Sequence, residues 1–248
     1  MRVDLIKMEW YYYNIKMQGG ARIMQTLQEL TQRVQKYSQD SIHGNDWFCT
    51  NTNLGKKVDE AGNFRSFAGD TVVFLLPDKA MEQLGYLQDE LYAKCEPILS
   101  QRLGKDTFHM TLHDLNAGTE KRNQEEARRL IYELRNSGIK SIKMRSTYLF
   151  NMVSTSVVLG FLPVDEENCR NLMGFYDRFQ EIVPLSYSLS PHITMAYYKP
   201  RNFPMREMEG LREVIAKVNQ REKIELELEL DKLVYQQFEH MNCYKTKM

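Results

Sequence analysis

The chain of 248 residues carries no excess of either charge: 33 Lys and Arg stand against 33 Asp and Glu, a formal net charge of zero. Nonspecific binding to long duplex nucleic acid usually rests on a basic excess or stripe, so overall charge gives no evidence for that partner. A small or single-stranded phosphate ligand remains compatible with it. No apolar run approaches the roughly 20 residues that span a bilayer. The first stretch, MRVDLIKMEWYYYNIKMQGG, also lacks the uninterrupted apolar core of a signal peptide. Four cysteines (Cys49, Cys95, Cys169, Cys243) are widely scattered, with no Cys-x-x-Cys and none joined to His at zinc spacing. That spacing argues against a disulfide framework and against a structural zinc. These absences together predict a cytoplasmic protein in reducing surroundings, without a membrane partner, a metal or a cofactor.

What is present reads as an ordinary globular chain, 42% hydrophobic and 27% charged. Trp10 and Tyr11 to Tyr13 form an aromatic cluster whose default role is packing on the body, with base stacking the alternative. From Ala21 to Tyr37, Ile23, Leu27, Leu30, Val34 and Tyr37 step by four and three, one face of an amphipathic helix. Residues 1–45 therefore read as an N-terminal extension with that helix, and 46–248 as the main domain. Residues 38–69 read as loop with a short strand near Trp47 to Cys49, and His43 as a surface turn residue. Thr71 to Leu76 predicts a buried strand closed by Pro77, and Asp78 is the expected cap of the next helix. Asn123 to Arg135, stopped by Gly138, and a stretch capped by Asp165 and ended by Pro184 predict two more helices. Another is expected over 204–218. Tyr148 to Pro163 reads as a hairpin turning near Ser154 to Ser156, and the alternation KIELELEL at 223–230 as a strand with one face in water.

The chain is organised by a repeat. Phe-His-Met-Thr-Leu at 108–112 recurs as Pro-His-Ile-Thr-Met at 191–195, each in a segment of alternating character. Strand side chains alternate in direction, so His109 and Thr111 share one face against Met110 and Leu112, and His192 and Thr194 share one against Ile193 and Met195. Each time a helical stretch leads into the strand. The apolar side anchors the strand, leaving an imidazole and a hydroxyl on the other. If the first strand stays extended, His113 falls on the His109 face, although a polar residue near a strand end is usually solvated.

Two histidines across one cleft suit acid and base work near neutrality, one drawing a proton from water and the other supplying one to a leaving oxygen. The threonines stand where hydroxyls can hydrogen-bond non-bridging phosphoryl oxygens. At these residues the sequence resembles the two-histidine phosphoesterase superfamily, which includes the RNA ligase-like cyclic phosphodiesterases and is marked by paired, apolar-flanked His-x-Thr/Ser motifs. His109, Thr111, His192 and Thr194 match that motif. The resemblance covers residues 70–245, and the segment 62–75 looks like the entry strand of a little-characterised microbial branch.

The resemblance implies hydrolysis of a 2′,3′-cyclic phosphodiester, or of 2′,5′-linked and cyclic nucleotides as in some relatives, with a nucleotide or RNA end as partner. The fold expected is α+β, with two pseudo-symmetric lobes of mainly antiparallel sheet and flanking helices around a central cleft. The catalytic candidates are His109, Thr111, His192 and Thr194. His113, Tyr197, Tyr198 and Lys199 are candidate substrate contacts. Lys199, Arg201, Lys105 and Arg65 are the cations near the motifs or entry strand, each a surface charge by default. A zinc-hydrolase reading of His109 and His113 lacks the His-Glu-x-x-His pattern and a helical context. A module that holds nucleotide phosphate without turnover is the non-enzymatic alternative.

Overall fold

The computed structural model describes residues 25–39, 42 and 46–247. The aromatic cluster at 10–13, Ile23 and His43 lie outside the described residues. Helix α1 (Leu27–Gln39) opens with a reciprocal cap, in which Glu29 N donates to Thr26 Oγ1 and Thr26 N to Glu29 Oε2. Its Leu30 and Val34 are buried, and it packs on β4 (Ser141–Met152), β5 (Ser156–Pro163) and α4 (Glu166–Gln180).

Two four-stranded sheets, antiparallel throughout, form the lobes. The first runs β10-β9-β2-β3, with β2 (Gly69–Leu75), β3 (His109–Ala117), β9 (Leu233–His240) and β10 (Cys243–Thr246). The second runs β6-β5-β4-β8, with β6 (His192–Tyr197) and β8 (Glu225–Glu229). Short strands β1 (Trp47–Cys49) and β7 (Asn202–Pro204) pair separately. This is an α+β architecture with five α-helices among the described residues. Each lobe repeats one unit: an inner strand, a helix, then an edge strand carrying His-x-Thr. The units are β2, α2 (Asp78–Cys95) and β3, then β5, α4 and β6.

The two triplet strands lie at the edges of their sheets and approach each other. Each helix reaches across to the other lobe's edge. From α2, Gln88 Nε2 donates to Met195 O of β6 at 3.1 Å, while α4 packs on β3. The alternation in β8 behaves as its sequence demands, with Leu226 and Leu228 buried and the three glutamates exposed. The β4–β5 hairpin turns through Val153 and Ser154, both at positive φ. Asp165 caps α4, accepting from Asn168 N at 2.8 Å.

Asp78, in contrast, does not cap α2. Pro77 holds the capping position with φ −68 and ψ 150, and Asp78 is a first-turn acid facing the helix N-terminus. Asn123 is likewise not a side-chain cap for α3 (Gln124–Arg135). Its side-chain oxygen accepts instead from Asn116 Nδ2 at 2.8 Å.

Candidate active site

Both histidines are the first residues of their strands, and both are fixed in the same way. His109 Nδ1 lies 2.7 Å from Thr107 O, and His192 Nδ1 lies 2.7 Å from Ser190 O. A carbonyl only accepts, so each Nδ1 carries the proton and each neutral ring keeps an unprotonated Nε2. His109, Thr111, His192 and Thr194 all line one cavity of about 370 Å³, within the range of small-ligand sites.

A second regularity follows each triplet. Between Val72 and Val73 the β2–β3 register slips so that Leu112 is an extra residue, and between Val157 and Val158 the β5–β6 register slips so that Met195 is extra. These bulges change the phase of the strand at the same place in both lobes. Asp114 therefore takes the face of Thr111, and Tyr197 takes the corresponding place beyond Thr194. Strict alternation had assigned the first of these positions to His113. His113 still borders the cavity, yet it is 1% exposed and its ring packs on Tyr176 and Phe179 of α4, with neither nitrogen hydrogen-bonded.

Tyr197 lines the cavity and donates its hydroxyl to Met241 Sδ at 3.2 Å. Tyr198 points the other way, fully buried edge-on to Phe48. Lys199 is turned from the cavity toward Pro97, whose carbonyl accepts from its Nζ at 3.2 Å. Arg201 pairs with Glu207 and Lys105 lies near Asp89, and neither these nor Arg65 lines the cavity. Among the described residues the cation that does is Lys57, just past a 3-10 turn at Thr52–Lys56, its Nζ above the rings of Phe67 and Tyr197 at 5.2 and 5.7 Å.

Sequence reasoning missed Lys57 because nothing local marks it, and missed Asp114 because a bulge depends on the partner strand. Tyr244 on β10 meets the His109 ring edge-on at 4.8 Å, and Tyr187 reaches Asp114 from the second lobe. Much of the remaining lining is apolar or aromatic, including Phe67, Leu189 and Phe238.

Burial lowers both imidazole pKa values, that of His109 to about 4. Asp114 opposes the shift at both rings. His192 adds to the lowering at His109, and Lys57 to that at His192. Among the described residues the free site thus holds two neutral rings near pH 7, with Lys57 and Asp114 as its lining cation and carboxylate. An anion placed beside the rings would favour protonation of one imidazole, and an unlike pair is what acid–base work requires. Among the described residues no group of three or more His, Cys, Asp or Glu is placed to hold a metal ion, and no helix is long and apolar enough to cross a membrane.

Fold and site together define a bilobal α+β protein with a His-x-Thr strand on each side of one cleft. Among solved structures, it is similar to a conserved protein of unknown function from Agrobacterium tumefaciens str. C58, with 17% identity over 82% of this chain and 93% of that one and a TM-score of 0.54. It is also similar to a protein from Thermus thermophilus (14% identity, 73% and 95% covered, TM-score 0.46) and to E. coli LigT in apo form (12%, 74% and 96%, TM-score 0.42). At these identities the likeness is one of fold. No protein-family model matches the chain, and no curated protein matches it.

Proposed function

We propose that the chain is a phosphodiesterase of the two-histidine type, hydrolysing a 2′,3′-cyclic or 2′-linked nucleotide phosphodiester by paired acid–base catalysis. The observation that carries the reading is the matched pair His109 and His192, each tied by Nδ1 to the carbonyl two residues before it and each lining the same cavity. One Nε2 takes the proton of the attacking water, and the other, protonated once the phosphoryl group is bound, delivers a proton to the departing ribose oxygen. Thr111 and Thr194 stand beside the rings to hydrogen-bond the non-bridging oxygens as charge builds on them.

Lys57 supplies the positive charge the phosphoryl group needs, and the aromatic lining suits a nucleobase and ribose. Among the described residues Lys57 is the one cation that lines the cavity, which favours a substrate with one phosphoryl group there over a polyphosphate. The test is hydrolysis of nucleoside 2′,3′-cyclic monophosphates in excess chelator by the parent, His109→Ala and His192→Ala. Turnover that persists in chelator and is lost in both variants supports the reading. Full activity in either variant, or nucleotide binding without turnover in the parent, refutes it, the latter in favour of a binding module.

A further inference from the structure

The carbonyls that fix the two histidines are themselves held by different means. Thr107 O belongs to a 3-10 turn at Lys105–Thr107, which is closed by Thr107 N and Thr107 Oγ1 both donating to Gly104 O, at 2.9 and 2.7 Å. The first lobe thus sets its own imidazole from neighbouring residues. Ser190 O has no such turn beneath it. Residues 184–191 contain neither helix nor strand, and the chain there is gripped from outside. From α4, Tyr176 OH donates to Tyr187 O, and Gln180 Oε1 accepts from Leu185 N at 2.7 Å. Both anchors lie three or more residues before Ser190.

At the end near His192, Phe161 N of β5 donates to Pro191 O at 2.9 Å, and the grip on Leu189 and Ser190 comes from α1. Arg33 Nη2 donates to Leu189 O, and Arg33 Nε lies 3.3 Å from Ser190 Oγ. Its remaining arm, Nη1, donates to Gln25 Oε1 at 2.7 Å. A planar guanidinium held at three points is a rigid brace, which the single ammonium of a lysine cannot reproduce. The helix that carries it is fastened in turn. Leu30 and Val34 are buried, Tyr37 stacks on Phe150 with ring centroids 6.0 Å apart, and Leu27 N donates to Glu166 Oε2 at 3.2 Å.

We propose that Arg33 is a positioning residue for His192: through Leu189 and Ser190 it fixes the carbonyl that orients that imidazole, while His109 is set independently of it. The helix outside the region of family resemblance is then part of the catalytic apparatus of the second lobe alone. The inference rests on the phosphodiesterase reading only where it predicts a rate; its structural core, one histidine affected and the other not, is tested without turnover.

The experiment uses the full chain and its Arg33→Lys and Arg33→Gln variants, the lysine preserving charge in case the neutral change loosens α1. Imidazole nitrogen NMR reads the tautomer and titration of each ring, assigned with His109→Ala and His192→Ala. His192 is expected to lose its single Nδ1–H tautomer and to titrate differently in both Arg33 variants, with His109 as in the parent. On a 2′,3′-cyclic mononucleotide, kcat is expected to fall about tenfold to a hundredfold with KM changed less than about threefold, the size expected when a reacting group is displaced by an ångström or less.

An unaltered His192 ring in Arg33→Lys overturns the proposal, as does an equal change at both rings, which marks a general loosening. If the parent shows no turnover, the phosphodiesterase reading fails and the NMR comparison still decides the role of Arg33.

Discussion

The Tyr187 hydroxyl of the second lobe donates to the Asp114 carboxylate of the first at 2.9 Å, a hydrogen bond across the cleft. Thr71 Oγ1 lies 3.4 Å from the other oxygen of the same carboxylate. Asp114 is thereby held where its charge raises the pKa of both His109 and His192 against the larger lowering by burial. The bulge after Thr111 puts it there, and the matching bulge after Thr194 puts Tyr197 in the equivalent place.

Asp114 is expected to set the pH range of catalysis. In the free protein both imidazoles titrate below the ordinary 6.5, so the form with one protonated ring becomes scarcer as pH rises, about tenfold for each unit. kcat/KM on a 2′,3′-cyclic nucleotide should accordingly decline above pH 6.5. Asp114→Asn removes the charge that sustains protonation and keeps an acceptor for Tyr187. Its profile is expected to move to lower pH, with a severalfold loss at pH 7.5 and little loss at the acid optimum. A uniform loss at every pH would assign Asp114 a packing role instead.

Acid stability follows from the same burial. His109 and His113 are each lowered to about 4 and His192 is lowered as well, so between that range and 6.5 the unfolded chain binds protons that the folded chain does not. Stability therefore rises with pH through this window: it is full above 6.5 and is lost as pH falls toward 4, by at most about 1.4 kcal/mol per unit for each such ring. His113→Leu removes one of the three without touching either triplet. Urea midpoints at pH 7.5 and 4.5 should differ less for this variant than for the parent, by about one proton's worth. An identical pH dependence would show that His113 titrates in the fold as it does in the unfolded chain.

Much of this architecture was legible in the chain because it is carried by local pattern. The apolar and acidic alternation of 223–230 reports a sheet with one wet face, the run after Gly69 a buried strand, and the repeated triplet the two edges of the cleft. What escaped depends on contacts distant in sequence. Strict alternation extended past Thr111 puts His113 beside His109, yet the register of β3 is set by β2, and the slip there gives the position to Asp114. The cations near the triplets or the entry strand in sequence are Lys199, Arg201, Lys105 and Arg65, whereas the cavity takes Lys57 from a turn that no local pattern marks. Arg33 reads as one more polar residue on an amphipathic helix until Leu189 and Ser190 are seen against it.

The pairing of the two imidazoles is tested most directly by a double-mutant cycle in kcat/KM. His109→Ala and His192→Ala are each expected to lower it by about a thousandfold or more on a 2′,3′-cyclic nucleotide, and the double variant by little beyond either one, because acid and base act in one step. Losses that multiply across the cycle, or a single variant that keeps its rate, would mean that the rings do not act as a pair.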